Sequence, residues 1–346
     1  FQGYEAKETE YGTLYQPVFE EGLLANVTYE IRAREDIKSA DGTRTYHYRG
    51  DLVERITTNG RTTTKSSRLP LGAYTVQEIA CDDPSYVIDS NIYEFDLIYK
   101  DQETPVVKQT MKLYDDRKQG TGTITKVIED SEIIDNSDVY EDIKFGVFTA
   151  NNLLVNGNKV LNKDSMIQVV SLDEVYQGKV QVDFAGSYYL RELATNDQYV
   201  LSNTKIPFNF NYTSDKEIVI NINNGQPIEN KVKRGDIRVL KRDSVTGNPV
   251  AGAVFEFSRD KDFENILATV TSDVNGIAKL ENVEKSTVYV REKTAPDGYA
   301  KNTSVKKAEI EDNGQVIEFT YDNEPYRGWI KLHKTDIATK DNLAGI

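Results

Sequence analysis

Gly235-Asp236-Ile237-Arg238-Val239-Leu240-Lys241 is the stretch on which the reading of the fold turns. Side chains two apart on a strand point the same way, so Ile237, Val239 and Lys241 share one face. Its two β-branched residues mark that face as the buried one. A lysine there is costly unless something uses it. Gly328-Trp329-Ile330-Lys331-Leu332-His333-Lys334 has the same form, with Ile330, Leu332 and Lys334 on one face.

Working outward, the stretch is one part of a repeat. An Asp or Asn is followed by Gly five residues on and Lys eleven residues on, three times: Asp115, Gly120, Lys126; Asn230, Gly235, Lys241; Asn323, Gly328, Lys334. Upstream of each Asp or Asn runs an alternating strand that ends on a glutamate, at Glu78, Glu192 and Glu292, and a tyrosine follows at Tyr86, Tyr199 and Tyr299. Downstream of each Lys a small-residue turn enters an aromatic strand, as in Ala251-Gly252-Ala253-Val254-Phe255. One such spacing would be weak, but three in the same order define units. The boundaries expected from them are 1–119, 120–233 and 234–327, with 328–346 as the first strand of a fourth unit. Linkers of a few residues predict an extended, stiff row of domains.

Composition agrees with an all-β protein of several sandwiches. The 346 residues include 21 Tyr and 12 Phe, and turn dipeptides such as Asn59-Gly60, Asn156-Gly157 and Asn275-Gly276 separate short alternating runs. A net charge of −14 argues against nucleic acid and anionic lipid as partners. No apolar run is long enough to span a membrane. Cys81 is the one cysteine, so no intrachain disulfide forms, and with two histidines it leaves little material for zinc. Neither a cofactor nor a metal is expected. Asp135-Asn136-Ser137-Asp138 and Asp260-Lys261-Asp262 lack the spacing of a calcium loop and read as solvated surface. Phe1-Gln2-Gly3 resembles the end of a protease-cleavable tag and is set aside. Without a signal peptide or sorting signal, the chain reads as part of a longer protein.

Within a unit the order is Lys on the first strand, Glu on a middle strand, and Asn or Asp after the last. A desolvated lysine loses its proton more easily, and a buried carboxyl favours its neutral form. A Glu bridging the two would let the amine attack the side-chain carbonyl of Asn or Asp. Ammonia or water leaves, and an amide joins two side chains. This is a single-turnover self-modification rather than enzymatic activity.

The run Gly235–Phe255, with Glu292-Lys-Thr-Ala-Pro-Asp-Gly-Tyr299 and Asn323-Glu-Pro-Tyr-Arg-Gly328, resembles the CnaB-type (SpaA-like, prealbumin-like) domains. The resemblance is specific over 234–326, good over 121–233 and looser before that. It implies tandem inverse immunoglobulin-like β-sandwiches with autocatalytic isopeptide bonds, as in the stalks of Gram-positive adhesins and pilins on the extracellular face of the cell wall. Carried over by position, the crosslinks are Lys241–Asn323 with Glu292 and Lys126–Asn230 with Glu192. In the first unit Glu78 and Asp115 fit, with Lys7 as the candidate lysine. Lys7 lies 22 residues before Tyr29, as Lys126 does before Phe148, but Glu5 breaks the apolar face. The implied partners are neighbouring domains of the same protein.

Two other readings compete. The insert 37–69 of the first unit, which carries Arg49-Gly50-Asp51, would bind a host extracellular protein or glycan if it presented exposed aromatic residues. A hydrolase reading finds no Ser/His/Asp or paired-carboxylate constellation to rest on.

Overall fold

The computed structural model describes residues 1–335, 337 and 338, and the chain divides into two compact units. One comprises 1–127, 137–196 and 201–229; the other comprises 128–136, 197–200 and 230–346. Among the described residues regular structure is strand throughout, apart from two short 3₁₀ turns.

The first unit opens with a hairpin, β1 (Gly3–Thr9) and β2 (Gly12–Val18). Next come β3 (Ala25–Ala33), β4 (Ile37–Lys38), β5 (Thr45–His47), β6 (Leu52–Asn59), β7 (Gly72–Cys81) and β8 (Ile92–Leu97). Strands β6-β3-β7-β8 form one antiparallel sheet, and β4-β5 form a small hairpin. Alternate residues Ile31 and Ala33 on β3 and Tyr74 and Val76 on β7 are buried on one face, with Ile37 against them.

The same unit continues with β9 (Gln119–Ile128), β10 (Lys144–Thr149), β11 (Leu153–Val155), β12 (Asn158–Leu161), β13 (Met166–Ser171), β14 (Gln177–Val182), β15 (Gly186–Ala194), β16 (Ile206–Phe210) and β17 (Glu217–Val219). β18 (Ile228–Asn230) follows. One sheet runs β1-β2-β13-β10-β15-β16 and another β14-β9-β17. Ile124, Phe145, Val147, Val180, Leu190 and Phe210 are buried.

Three details differ from the sequence reading. The hairpin β1-β2, assigned to the first sandwich, extends the sheet of the second, with β2 meeting β13 in parallel at Leu14↔Met166. Tyr11 and Leu14 pack on Phe148, Met166 and Tyr189, so the hairpin's apolar side chains find an apolar rim there. Phe1, set aside with the tag-like residues, stands 4.6 Å ring to ring from Phe184 and 5.7 Å from Phe19. The first repeat, finally, builds the four-stranded sheet and the β4-β5 hairpin: residues 98–118 form no strand, and nothing in 25–118 corresponds to β14-β9-β17.

The second unit holds β19 (Arg234–Asp243), β20 (Val254–Ser258), β21 (Ile266–Thr271), β22 (Ile277–Glu284), β23 (Thr287–Thr294), β24 (Val305–Glu309) and β25 (Val316–Asn323). Sheets β22-β19-β25 and β21-β20-β23-β24 enclose Ile237, Val239, Phe255, Phe257, Val288, Val290 and Tyr321. Each such side chain contributes about 1.5–3 kcal/mol when fully buried. The first and last strands lie side by side and parallel, from Asp236↔Val316 to Asp243↔Asn323. Gly276 makes the turn into β22 at φ +73°, where a Cβ would run into the carbonyl oxygen of Lys241. Residues 328–334, the expected next strand, form none, and Trp329, Ile330 and Leu332 are exposed. The rest of that expected strand lies outside the described residues, save 335, 337 and 338.

Candidate functional site

The repeated glutamates occupy one structural position. Glu78 faces Tyr29 across β3-β7, Glu192 faces Phe145 across β10-β15, and Glu292 faces Phe255 across β20-β23. In each pair the register slips just before the aromatic, leaving Ile79, Leu193 or Lys293 as the extra residue of a bulge. A bulge re-aims a side chain at the end of a strand. One oxygen of each carboxyl also accepts a backbone N–H from the following loop: Asp89 to Glu78 at 3.2 Å, Ser202 to Glu192 at 2.9 Å, Asn302 to Glu292 at 2.7 Å. Those loops are pinned by bridges from Tyr86, Tyr199 and Tyr299 to Arg117, Val232 and Pro325, each two residues beyond the repeated Asp or Asn.

In the second unit the three sequence candidates meet. Alternation on β19 turns Lys241 inward, where it is 0 % exposed; Glu292 on the facing sheet and Asn323 at the end of β25 are each 1 % exposed. Asn323 Nδ2 donates to both oxygens of Glu292, at 2.7 and 2.9 Å. Lys241 Nζ donates to the carbonyls of Arg242 at 2.9 Å and Tyr321 at 3.3 Å. Burial pushes the Lys241 amine below the ordinary lysine range, and the nearby Glu292 opposes that shift. Asn323 Oδ1 is buried without a donor, an expense of the kind usually met at sites with a chemical task. Tyr321, edge-on to Phe255 at 5.0 Å and donating to the carbonyl of Val290 at 2.6 Å, closes the pocket beside them.

In the second sandwich, Lys126 Nζ lies 3.5 Å from Glu192 Oε1, with side chains 0 % and 1 % exposed. Burial again lowers the Lys126 pKa, and Glu192 opposes it. Asn230 is buried at the end of β18, and its carbonyl accepts the N–H of Glu129 at 2.9 Å.

In the first repeat the two acids lie together, and among the described residues no ion pair with a lysine reaches them. Glu78 is buried beside Asp115, and burial pushes its carboxyl up to about 7, with the Asp115 charge adding to the shift and the Asp89 N–H opposing it. Burial raises Asp115 too, while a hydrogen bond with Glu78 opposes the rise. Lys7, the candidate lysine, is exposed on β1 in the hairpin that joins the second sandwich. The Glu5 that broke its apolar pattern was the sign: a strand without an apolar face does not carry a lysine inward.

Sequence reasoning missed the loop N–H groups that orient the glutamates. Their spacing, ten residues after Glu192 and Glu292 and eleven after Glu78, would have found them. In the insert 37–69, β6 is an ordinary strand of the sheet rather than a loop. Arg49-Gly50-Asp51 is a tight turn whose aspartate accepts the N–H of Tyr48 at 2.8 Å. Tyr46 and Tyr48 beside it are exposed, and the Arg44 guanidinium covers the Tyr46 ring.

A family model described as the SpaA prealbumin-like fold domain matches residues 235–325. The Bacillus anthracis TIE protein superposes with a TM-score of 0.57 at 18% identity, covering 89% of this chain and 50% of its own. The chain thus spans half the length of that protein, and at such identity the likeness is one of fold. The major pilin subunit BcpA of Bacillus cereus aligns over 90% of this chain and 98% of its own at 17% identity, with a TM-score of 0.36. No curated protein matches the sequence. The family model thus covers the residues that carry Lys241, Glu292 and Asn323 on an all-β frame, and the segment 235–325 is similar to a SpaA prealbumin-like fold domain.

Proposed function

We propose that the chain is a structural segment of a Gram-positive surface adhesin or pilin, extracellular, with its second and third sandwiches locked by Lys126–Asn230 and Lys241–Asn323 isopeptide bonds. The observation that carries this reading is the dry cluster of Lys241, Glu292 and Asn323. A lysine, a carboxylic acid and an amide, all buried, form a poor structural motif and a good reaction centre.

The chemistry follows from the contacts. The neutral amine of Lys241 attacks Cγ of Asn323. Glu292 takes a proton from the attacking nitrogen and returns one to Nδ2, which already rests on its two oxygens. The Cγ–Nδ2 bond breaks, ammonia leaves, and an Nζ–Cγ amide remains. Fixed positions replace the entropy of encounter, and water is excluded from the pocket. Each domain reacts once, so this is maturation and not turnover.

The bond joins the first strand to the last. Since β19 and β25 are parallel neighbours, tension on the chain ends passes through the amide rather than through strand hydrogen bonds. For a cysteine-poor protein outside the cell this takes the place of disulfides. Its partners in this reading are the neighbouring domains of the same surface protein.

Intact mass under denaturing conditions tests the proposal. Two Lys–Asn bonds remove about 34 mass units, and a third bond through Asp115 would bring the loss to about 52. With Lys7 exposed on the hairpin, about 34 is expected. A mass equal to that of the unmodified sequence would refute the crosslinks.

A further inference from the structure

Composition argues against a metal site, with one cysteine and two histidines in 346 residues. The fold reverses that argument at one place. Glu78 and Cys81 are three apart on β7, which on an unbroken strand puts them on opposite faces. The bulge at Ile79 brings them to the same side. Asp115 arrives from the segment before β9, which is held there by backbone hydrogen bonds from Val87 N–H to the Asp116 carbonyl at 2.9 Å and from Lys118 N–H to the Ser85 carbonyl at 2.7 Å. One ligand atom from each of Glu78, Cys81 and Asp115 then lies within 4.8 Å of the others.

A second observation is independent of that proximity. Glu78 is 3 % exposed, and its Oε1 is buried without a hydrogen-bond donor, as is Asp115 Oδ2. Among the described residues no ion pair reaches either carboxyl, and the charged groups acting on them are Asp89 and Asp116, both acidic. The corresponding glutamate of the second sandwich faces Lys126, and that of the third faces Asn323, with Lys241 nearby. At the position of Cys81, three residues beyond the glutamate, those repeats have Thr195 and Ala295. Among the described residues, then, no cation stands against the acids of the first repeat, and a thiol is present where the other two repeats have Thr195 and Ala295.

We infer that Glu78, Cys81 and Asp115 bind a divalent transition-metal ion of the zinc class. A thiolate with two carboxylates selects a borderline ion such as Zn²⁺ over Ca²⁺ or Mg²⁺, which take oxygen ligands. Tetrahedral zinc, with metal–ligand bonds of roughly 2.0–2.3 Å, sets its ligand atoms about 3.3–3.8 Å apart. Side-chain rotation of about 1 Å closes the site to that spacing, and water fills the fourth position. Binding releases the thiol proton to solvent, along with any proton the carboxyls carry. The ion neutralises a buried acidic pair where no lysine does, and it ties β7 to the segment leading to β9. This inference does not depend on crosslinks in the other two sandwiches, because metal binding leaves the denatured mass unchanged.

The test uses the full chain, stripped with chelator and titrated with Co²⁺ alone and then with Zn²⁺. One equivalent of Co²⁺ should produce a thiolate-to-cobalt absorption band that Zn²⁺ displaces. Cys81→Ser should lose the band, and Asp115→Asn should weaken binding. Zn²⁺ should also protect Cys81 of the unaltered protein from alkylation, a readout that needs no variant to fold. Absence of the band together with alkylation unaffected by Zn²⁺ overturns the inference, as does a band that survives Cys81→Ser. Recovery of Asp115 as an amide with a lysine also overturns it, since the carboxylate would then be consumed.

Discussion

Glu292→Gln tests the proposed Lys241–Asn323 bond separately from the packing around it. Glutamine has nearly the same volume and keeps an oxygen for the Asn302 N–H, but it cannot carry the proton from Lys241 to Asn323. Lys241 and Asn323 stay in place, unjoined. The bond would close a loop of about 80 residues, and the loop-entropy model that describes disulfides assigns such a closure about 4.5 kcal/mol at 25 °C. In a domain of roughly 90 residues that corresponds to a fall in Tm of roughly 20–35 °C. Differential scanning calorimetry of the full chain reads it directly, as the third sandwich's transition moves while the others stay. Intact mass of the same sample should exceed that of the unaltered protein by about 16 units, about 17 for the ammonia retained less about 1 for the substitution. If the mass rises and the transition moves by only a degree or two, covalent closure is not what stabilises this domain. If the mass does not change, Glu292 is not the proton carrier and the assignment of roles fails.

Two further outcomes follow from the same geometry. In the Glu292→Gln protein Lys241 is a free buried amine whose pKa burial holds below the ordinary 10.5, so between the two values the unfolded chain binds more protons than the folded one. Stability of that variant should therefore rise as pH climbs from the depressed value towards 10.5 and be flat in this component outside that window, whereas the unaltered domain, if the proposed amide has formed, lacks it; urea denaturation at pH 7 and pH 10 measures the contrast. Gly276→Ala forces a Cβ onto the Lys241 carbonyl at a positive φ and should cost the third sandwich about 1–3 kcal/mol by the same denaturation assay, with the crosslink mass deficit retained.

Much of the site was legible because its chemistry is written in spacing. Period-two alternation puts Lys241 on the face of Ile237 and Val239 wherever the strand lies, and an eleven-residue offset repeated three times marks where the Asp or Asn that ends one unit gives way to the Lys of the next. The bulges at Ile79, Leu193 and Lys293 were not legible, because a bulge is a property of two paired strands and not of one. Nor was the donor status of the loop N–H groups, which depends on how each loop folds back over its glutamate.

The sequence alone determined the strand content, the repeat, and the inward-facing positions of Lys126, Glu192, Asn230, Lys241, Glu292 and Asn323, all of which are buried, since alternation and spacing are local. Tertiary structure decided which sheet each strand joins. The hairpin 3–18 has a polar face and a few apolar side chains, and its pattern suits any sheet edge; the rim formed by Phe148, Met166 and Tyr189 claimed it for the second sandwich. That choice leaves Lys7 in solvent, away from the buried Glu78 and the half-buried Asp115 and Cys81. Burial depends on which surfaces meet, and strand pairing fixes that only when the whole chain has folded.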